Sequence, residues 1–600
     1  MPYLRSDMES TRAFLDNLLA RYDWTSNFSH SPEFTRLMTT NEVPTHFQAG
    51  QLDASIQGLD PLIREIQAEI DLLHHAAASL ESRMLRLSKI KHDYEGALSS
   101  VRRLPAEIVV EILDWTVERR TSRSYHISGF DVFNLSDGPW YLGQVCTAWR
   151  STVERHCPHL WSRLTINVPP KLEDSGVGVT IPIFKRNMVA LLERALERSG
   201  RSRLDFSFRH IKCIRMLAQF SEAETEVISK CFNLLLTHSM RWGSVELTIP
   251  WPLLSRISDV HGRVNKLEDA YLKCQGPAKL DVINAFEFAP KLKTLHLIDL
   301  HPEAIVLFPL GTIATFLDKR ALSSTDRADT YLDIIVSGSN LCSFSYHHHS
   351  PIPESVGSQL PIVRNTSIQS LSASLGNFLS SLDLPALTSM TVTSGCDIPE
   401  YYDVIPCPDD ALLGLHALIS HSSCSLTVLH LVDVPIIDNR LLSILQLTPQ
   451  LRTFTIEYHF YTSPASIRDD EALGHLFHQM AETQVVGKNR NHVLVPSLKK
   501  LAIITCEVDC ISVGFLRDEF VDMINSRRMF GRSSAFECLY IRISGRGWDL
   551  PFFRSGGLET LEALEDDGLH VTVTFDDVKD NTHHGDEGDI SDSDSDYVDS

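Results

Sequence analysis

The sequence predicts a chain of the α+β to α/β solenoid class. A long heptad helix and a small helical domain precede the solenoid, and a disordered acidic tail follows it. Three observations lead there. Apolar residues repeat in strict 4-3-4-3 spacing from Leu59 to Tyr94; short amphipathic helices rich in tryptophan fill residues 100–166; and an apolar-xx-apolar-x-apolar motif recurs between residues 200 and 574.

Six hundred residues exceed what one hydrophobic core organises, so more than one domain is expected. At 43% hydrophobic and 22% charged, with mean hydropathy −0.07, the composition is that of a soluble globular protein. No window holds eighteen uninterrupted apolar residues, and the N-terminus lacks the apolar core of a secretion signal. The expected compartment is therefore the cytosol or the nucleus. The twelve cysteines are scattered, and the closest pair, Cys506 and Cys510, has no second pair to complete a zinc site. Net charge is −22, of which about −9 lies in residues 576–600. Such a balance opposes a nucleic-acid partner, which needs a basic face.

Residues 1–55 show little periodicity and read as a poorly ordered leader with one short helix near Thr11–Arg21. The heptad helix follows over 56–96. Its seam is Leu59, Ile63, Ile66, Ile70, Leu73, Ala77, Leu80, Met84, Leu87 and, after Lys91, Tyr94. Asp60 is placed to cap it and Pro61 suits a first turn. A seam of this length needs a partner: another copy through Leu59–Tyr94, a later part of the chain, or another protein. At the other end, residues 576–600 are acidic and poor in apolar residues, so disorder is expected. There Ser591 and Ser593 each have an acid three residues on, as acidophilic kinases favour.

Between 100 and 166 the chain reads Leu104-Pro105-Ala106-Glu107-Ile108, continuing to Ile112 and Leu113. Pro105 starts a helix on which Ile108, Ile112 and Trp115 share one face. A second helix carries Leu142, Val145, Cys146, Trp149 and Val153 as one stripe, and Leu160 and Trp161 follow a breaking Pro158. So small a unit cannot bury every aromatic it carries, so part of its surface should meet a partner. The series LP-x-EI-xxx-IL, VC-xx-WR and LW resembles the F-box, in the F-box-like form abundant in mushroom-forming (basidiomycete) fungi. The resemblance covers about 60 of 600 residues. It implies docking onto the Skp adaptor, and through it a cullin, of an SCF-type ubiquitin ligase. The matching positions are Leu104, Pro105, Glu107, Ile108, Ile112, Leu113, Val145, Cys146, Trp149, Leu160 and Trp161. Residues 118–139 are a longer insertion than the box usually has, and would oppose docking if folded over the adaptor-facing surface.

The repeat motif occurs ten times, from Trp242-Val245-Leu247 to Phe536-Leu539-Ile541, often 25 residues apart. Gaps of 49 residues (Leu292 to Leu341) and 47 residues (Leu451 to Leu498) each leave room for one degenerate unit. Pro290, Pro385, Pro449 and Pro496 stand two residues before the first apolar position and read as helix stops. Helix, proline and short strand make the plan of leucine-rich repeats. Regular asparagines after the strand are missing, with Asp299 and Asp433 near that place. Stacked units present an extended surface to a protein substrate. The expected solvent-facing strand residues are Thr294, His296, Val428, His430, Thr453, Thr455, Lys500 and Ala502.

No phosphate loop, HExxH or GxSxG appears, and Gly176-Val177-Gly178 lacks the third glycine of a dinucleotide site. His347-His348-His349 reads as an exposed loop. The expectation is a non-enzyme without cofactor, metal or membrane contact. It either selects an unidentified substrate for the ligase or, as the alternative, acts as a repeat scaffold with no ligase role.

Overall fold

The structure is a computed structural model. It describes the chain apart from residues 1–2, 28, 41, 99–103, 119–126, 128, 169–180, 211–221, 276–281, 302–303, 320–327, 348–359, 395–406, 437–438, 460–463, 487–488, 510–517, 530–535, 547–568 and 578–600. Ser591, Ser593, Gly176 to Gly178, His348 and His349 lie outside the described residues. The chain divides into two compact units, Met1–Leu104 and Pro105–Ser600.

The first unit is helical: α1 (Tyr3–Arg21), α2 (Pro32–Thr39) and α3 (His46–Ala97). The described residues of the leader include α1 and α2, and the ends of α2 and the start of α3 are capped. Ser31 accepts the Phe34 amide and Pro32 opens α2. Thr45 and Gln48 form a reciprocal capping box, so α3 starts well before Asp60. Pro61 then lies inside the helix rather than at its start, and removes one backbone donor there. No residue of α3 is buried.

The second unit opens with α4 (Ala106–Glu118), β1 (Phe130–Asp131), α5 (Gly138–Leu142), α6 (Thr147–His156), a 3₁₀ turn (Pro158–Trp161) and β2 (Arg163–Val168). Next come α7 (Ile181–Arg198), β3 (Leu204–His210), β4 (Trp242–Pro250), β5 (Asp269–Gln275), β6 (Thr294–Ile298), β7 (Thr315–Lys319) and β8 (Ser343–His347). The series closes with β9 (Ser370–Ser372), β10 (Ser389–Val392), β11 (Val428–Val432), β12 (Thr453–Tyr458), β13 (Lys500–Asp509), β14 (Cys538–Arg546) and β15 (His570–Asp577). These fifteen described strands form one parallel sheet, each beside its predecessor in chain order.

The middle apolar residue of every one of the ten expected repeat motifs falls on a strand, and these residues share one register. Val245, Ala270, Leu295, Phe316, Phe344, Leu371, Met390, Leu429, Phe454, Leu501 and Leu539 are successive partners. Phe316 belongs to the degenerate unit foreseen in the 49-residue gap. Its third apolar place is taken by Asp318, buried and accepting the Tyr331 hydroxyl at 2.9 Å. The 47-residue gap hides no strand of this sheet, since β12 pairs directly with β13. A helix (Pro464–Ala481) and an antiparallel pair (Thr483–Val486 with Asn489–His492) occupy it instead.

The register is held by one recurrent backbone bond pattern. The Glu268 carbonyl accepts both the Lys293 and Thr294 amides, at 2.8 and 3.1 Å, and each later unit repeats this down to Lys499 with Glu537 and Cys538. The prolines act differently from the helix stops expected of them. In all four units the residue before proline accepts the amide three residues on, as Thr448 does from Leu451 at 3.1 Å. Proline therefore occupies the second position of a β-turn, where its fixed φ is already correct. Only Pro449 follows a helix closely, the one spanning Arg440–Leu447.

Candidate functional site

Helix α4 carries two apolar stripes. Val109 and Leu113, four residues apart, are buried, and the Asp114 carboxylate meets His159 at 2.5 Å to fix the helix on the 3₁₀ turn. The stripe beside Val109 and Leu113, about a third of a turn round the helix, is left outward: Ile108 is 43%, Ile112 38% and Trp115 61% exposed. An apolar arc of this width normally faces the core throughout. Val145, before α6, is 53% exposed, and Pro105 and Glu107 are also exposed.

The motif residues thus divide. Leu113, Leu160 and Trp161 are core; Ile108, Ile112 and Val145 face outward; Leu104, Cys146 and Trp149 are half-buried. Leu113, one of the matching positions, sits on the buried Val109 stripe. The VC-xx-W spacing also has a local cause: Cys146 caps α6, its Sγ accepting the Trp149 amide at 3.4 Å. Trp161, rather than Trp149, is the central indole, donating from Nε1 to the Val153 carbonyl at 3.0 Å.

The described part of the 118–139 insertion turns inward and leaves the outer stripe of α4 uncovered. Phe130, Val132 and Phe133 are buried, and β1 pairs with β2 through Phe130 opposite Leu164. Phe130 and Trp140 pack edge-on against Trp161, at 5.8 and 4.7 Å between ring centres. Arg198 of α7 lies over both indoles, 5.2 Å from Trp140 and 4.6 Å from Trp161, and pairs with Glu154. The motif reading missed Phe130 and Arg198. The alternating Phe130-Asp131-Val132-Phe133 was the available signal for the strand; nothing marked Arg198.

The second surface is the sheet face opposite the buried columns. Thr294, Val428, His430, Thr453, Thr455 and Ala502 are partly exposed there and Lys500 is exposed. His296 is the correction: it is only 6% exposed, with the Tyr271 ring edge-on at 4.6 Å. Burial pushes its imidazole down to about 4, against the opposing pull of Asp269. His347 is also buried, at the end of β8, and not in an exposed loop.

Register brings together what the linear sequence separates. Ser343, Ser370 and Ser389 are successive partners, and so are Ser345, Ser372 and Thr391, giving an uncharged hydroxyl patch over β8–β10. Charged pairs lie on either side of it along the sheet. Beyond three intervening strands, Arg209 of β3 grips Glu246 of β4 through two bonds of 2.9 and 3.0 Å. On the other side, His430 meets Glu457 at 2.9 Å and His459 meets Asp433 at 2.6 Å. Asp299 and Asp433, singled out at the missing asparagine positions, both take the left-handed conformation (φ 52° and 51°). Each donates its amide to the next strand, at 2.7 and 2.8 Å.

Among the described residues no group of three His, Cys, Asp or Glu is placed to hold a metal, and no helix is long and apolar enough to cross a membrane. No protein-family model matches the sequence, and no curated protein matches it either.

Proposed function

We propose that this chain is the substrate-recognition subunit of an SCF-type cullin–RING ubiquitin ligase. The outer stripe of α4 docks the Skp adaptor, and the open face of the sheet holds a protein substrate. The carrying observation is Ile108, Ile112 and Trp115 exposed on a helix whose adjoining stripe already fills the core. Apolar and aromatic anchors of this kind concentrate binding energy. The hydroxyl patch between charged pairs offers a substrate both directional bonds and complementary charge. In this reading the chain carries out no chemistry: it raises the concentration of a substrate beside the ubiquitin donor. Neither nucleic acid, membrane nor cofactor takes part, and the site of action is the cytosol or nucleus.

The test is capture of the full-length chain by a fungal Skp adaptor. Ile108→Asp should leave the circular dichroism and melting of the chain unchanged while lowering adaptor binding at least tenfold, about 1.4 kcal/mol or more. Leu113→Asp should instead unfold the α4 region, because it buries a charge in the core. A folded Ile108→Asp chain that binds as well as wild type would remove the outer stripe of α4 as the docking surface.

One observation favours a second reading, a protein-interaction scaffold with no ligase role. β1 and β2 are strands of the main sheet, so the motif segment has a structural task at its edge whether or not it docks anything. Failure of the folded wild-type chain to bind the adaptor would select that reading.

A further inference from the structure

Helix α3 spans 52 residues, about 78 Å, and buries none of them. With its start at His46, the 4-3 spacing extends upstream of Leu59 through Ile56, Leu52 and Ala49. Leu80 and Tyr94 on the seam are 64% and 69% exposed. Helix α1, at 19 residues about 28 Å long, is too short to cover this line. Arg21 at its end pairs with Glu69 at 2.8 Å, and Leu62, Ile66 and Glu69 of α3 are half-buried.

We propose that a second copy of this chain covers the seam, running antiparallel, with Ala77 of each copy opposite Leu73 of the other. The heptad puts Ile63, Ile70, Ala77, Met84 and Lys91 at one seam position and Leu59, Ile66, Leu73, Leu80, Leu87 and Tyr94 at the other. In a parallel pair each residue faces itself. Lys91 then meets Lys91, Ala77 meets Ala77 and leaves a thin layer, and flanking Leu62 and Ile90 face Gln67 and Glu95.

Antiparallel pairing sets the two seam positions against each other. With Ala77 opposite Leu73, Lys91 faces Leu59, one residue from Asp60, whose carboxylate lies within its reach. Along one flank Glu69 of each copy meets Arg83 of the other, and Leu62 of each meets Ile90 of the other. Arg21 of the same chain shares the Glu69 carboxylate. The one like-charge contact is Asp53 with Glu95, at the two ends. Sliding one heptad either way is disfavoured, since Asp60 then faces Glu81 or Glu95. Charge and volume thus select one partner and one register, independently of any ligase role.

The experiment uses the full chain with exposed Cys342 changed to Ser. Light scattering should give twice the 67.5 kDa chain mass, and Ile70→Asp with Leu73→Asp should return it to one. Leu59→Cys with Lys91→Cys should oxidise to a covalent dimer. Leu59→Cys alone should not, because the two copies of residue 59 would lie about 48 Å apart. A single-chain mass, an unlinked double-cysteine dimer, or cross-linking by Leu59→Cys alone (the mark of a parallel pair) would each overturn the proposal.

Discussion

At the residue scale, buried polar groups work where local sequence offers no hint of them. Arg527 is 3% exposed and donates to the carbonyls of Val495, Met480 and Leu494, at 3.0, 3.0 and 2.8 Å. Burial lowers its guanidinium to about 10, which leaves it charged at neutral pH. Val495 itself is held at φ 36°. One side chain therefore joins a helix end to the turn that starts the next strand. Arg527→Ala strands those carbonyls and should cost about 3 kcal/mol, read as a lower urea midpoint. Arg527→Lys should recover only part, because an ammonium lacks the planar span of the guanidinium. In sequence Arg527 is one of two arginines at a helix end, indistinguishable from the half-buried Arg528.

At the element scale, close approach of backbones decides packing. Gly414, inside the helix Ala411–Ser422, has no room for a side chain: a β-carbon there would lie 2.4 Å from the Gly376 carbonyl oxygen and 2.5 Å from its α-carbon. Gly414→Ala improves helix propensity by about 1 kcal/mol yet should lower stability by about 2 kcal/mol, since the helix Gly376–Ser380 must move away. Calorimetry of the variant checks the sign; a raised Tm would refute the packing argument. Helix α4 shows the same limit of local reading. Its Ile108–Ile112–Trp115 face was legible from spacing, but so was a Val109–Leu113 face, and periodicity cannot say which one the chain keeps inside.

At the scale of the molecule, stability couples to pH through histidines buried in different parts of the sheet unit. His296 and His492 are both pushed down to about 4, chiefly by burial, with Arg527 adding to the effect at His492. Each is neutral when folded but takes up a proton near 6.5 when unfolded. The unfolded chain therefore binds more protons between about pH 4 and 6.5. Stability is complete above that window and falls as pH drops through it, by about 1.4 kcal/mol per unit for each histidine. Acidifying from pH 7 to 5 should lower Tm, and His296→Asn should shrink that drop. An unchanged drop in the variant would show that His296 does not contribute.

Sequence alone determined the features that depend on spacing: the heptad seam of α3, the two-motif helical segment, and the ten apolar triplets that mark strands. Burial of alternate positions is a local demand, written directly as period two or three and a half. Tertiary structure decided what depends on neighbours brought from elsewhere. It joined the helical segment to the sheet through β1 and β2, and it seated Asp318 under Tyr331, which disguised one unit. It buried His296 beneath Tyr271 and aligned six hydroxyls from three strands into one patch. The physical reason is that parallel register is a long-range quantity: each strand is fixed by bonds to units some 20 to 50 residues away, which no local pattern records.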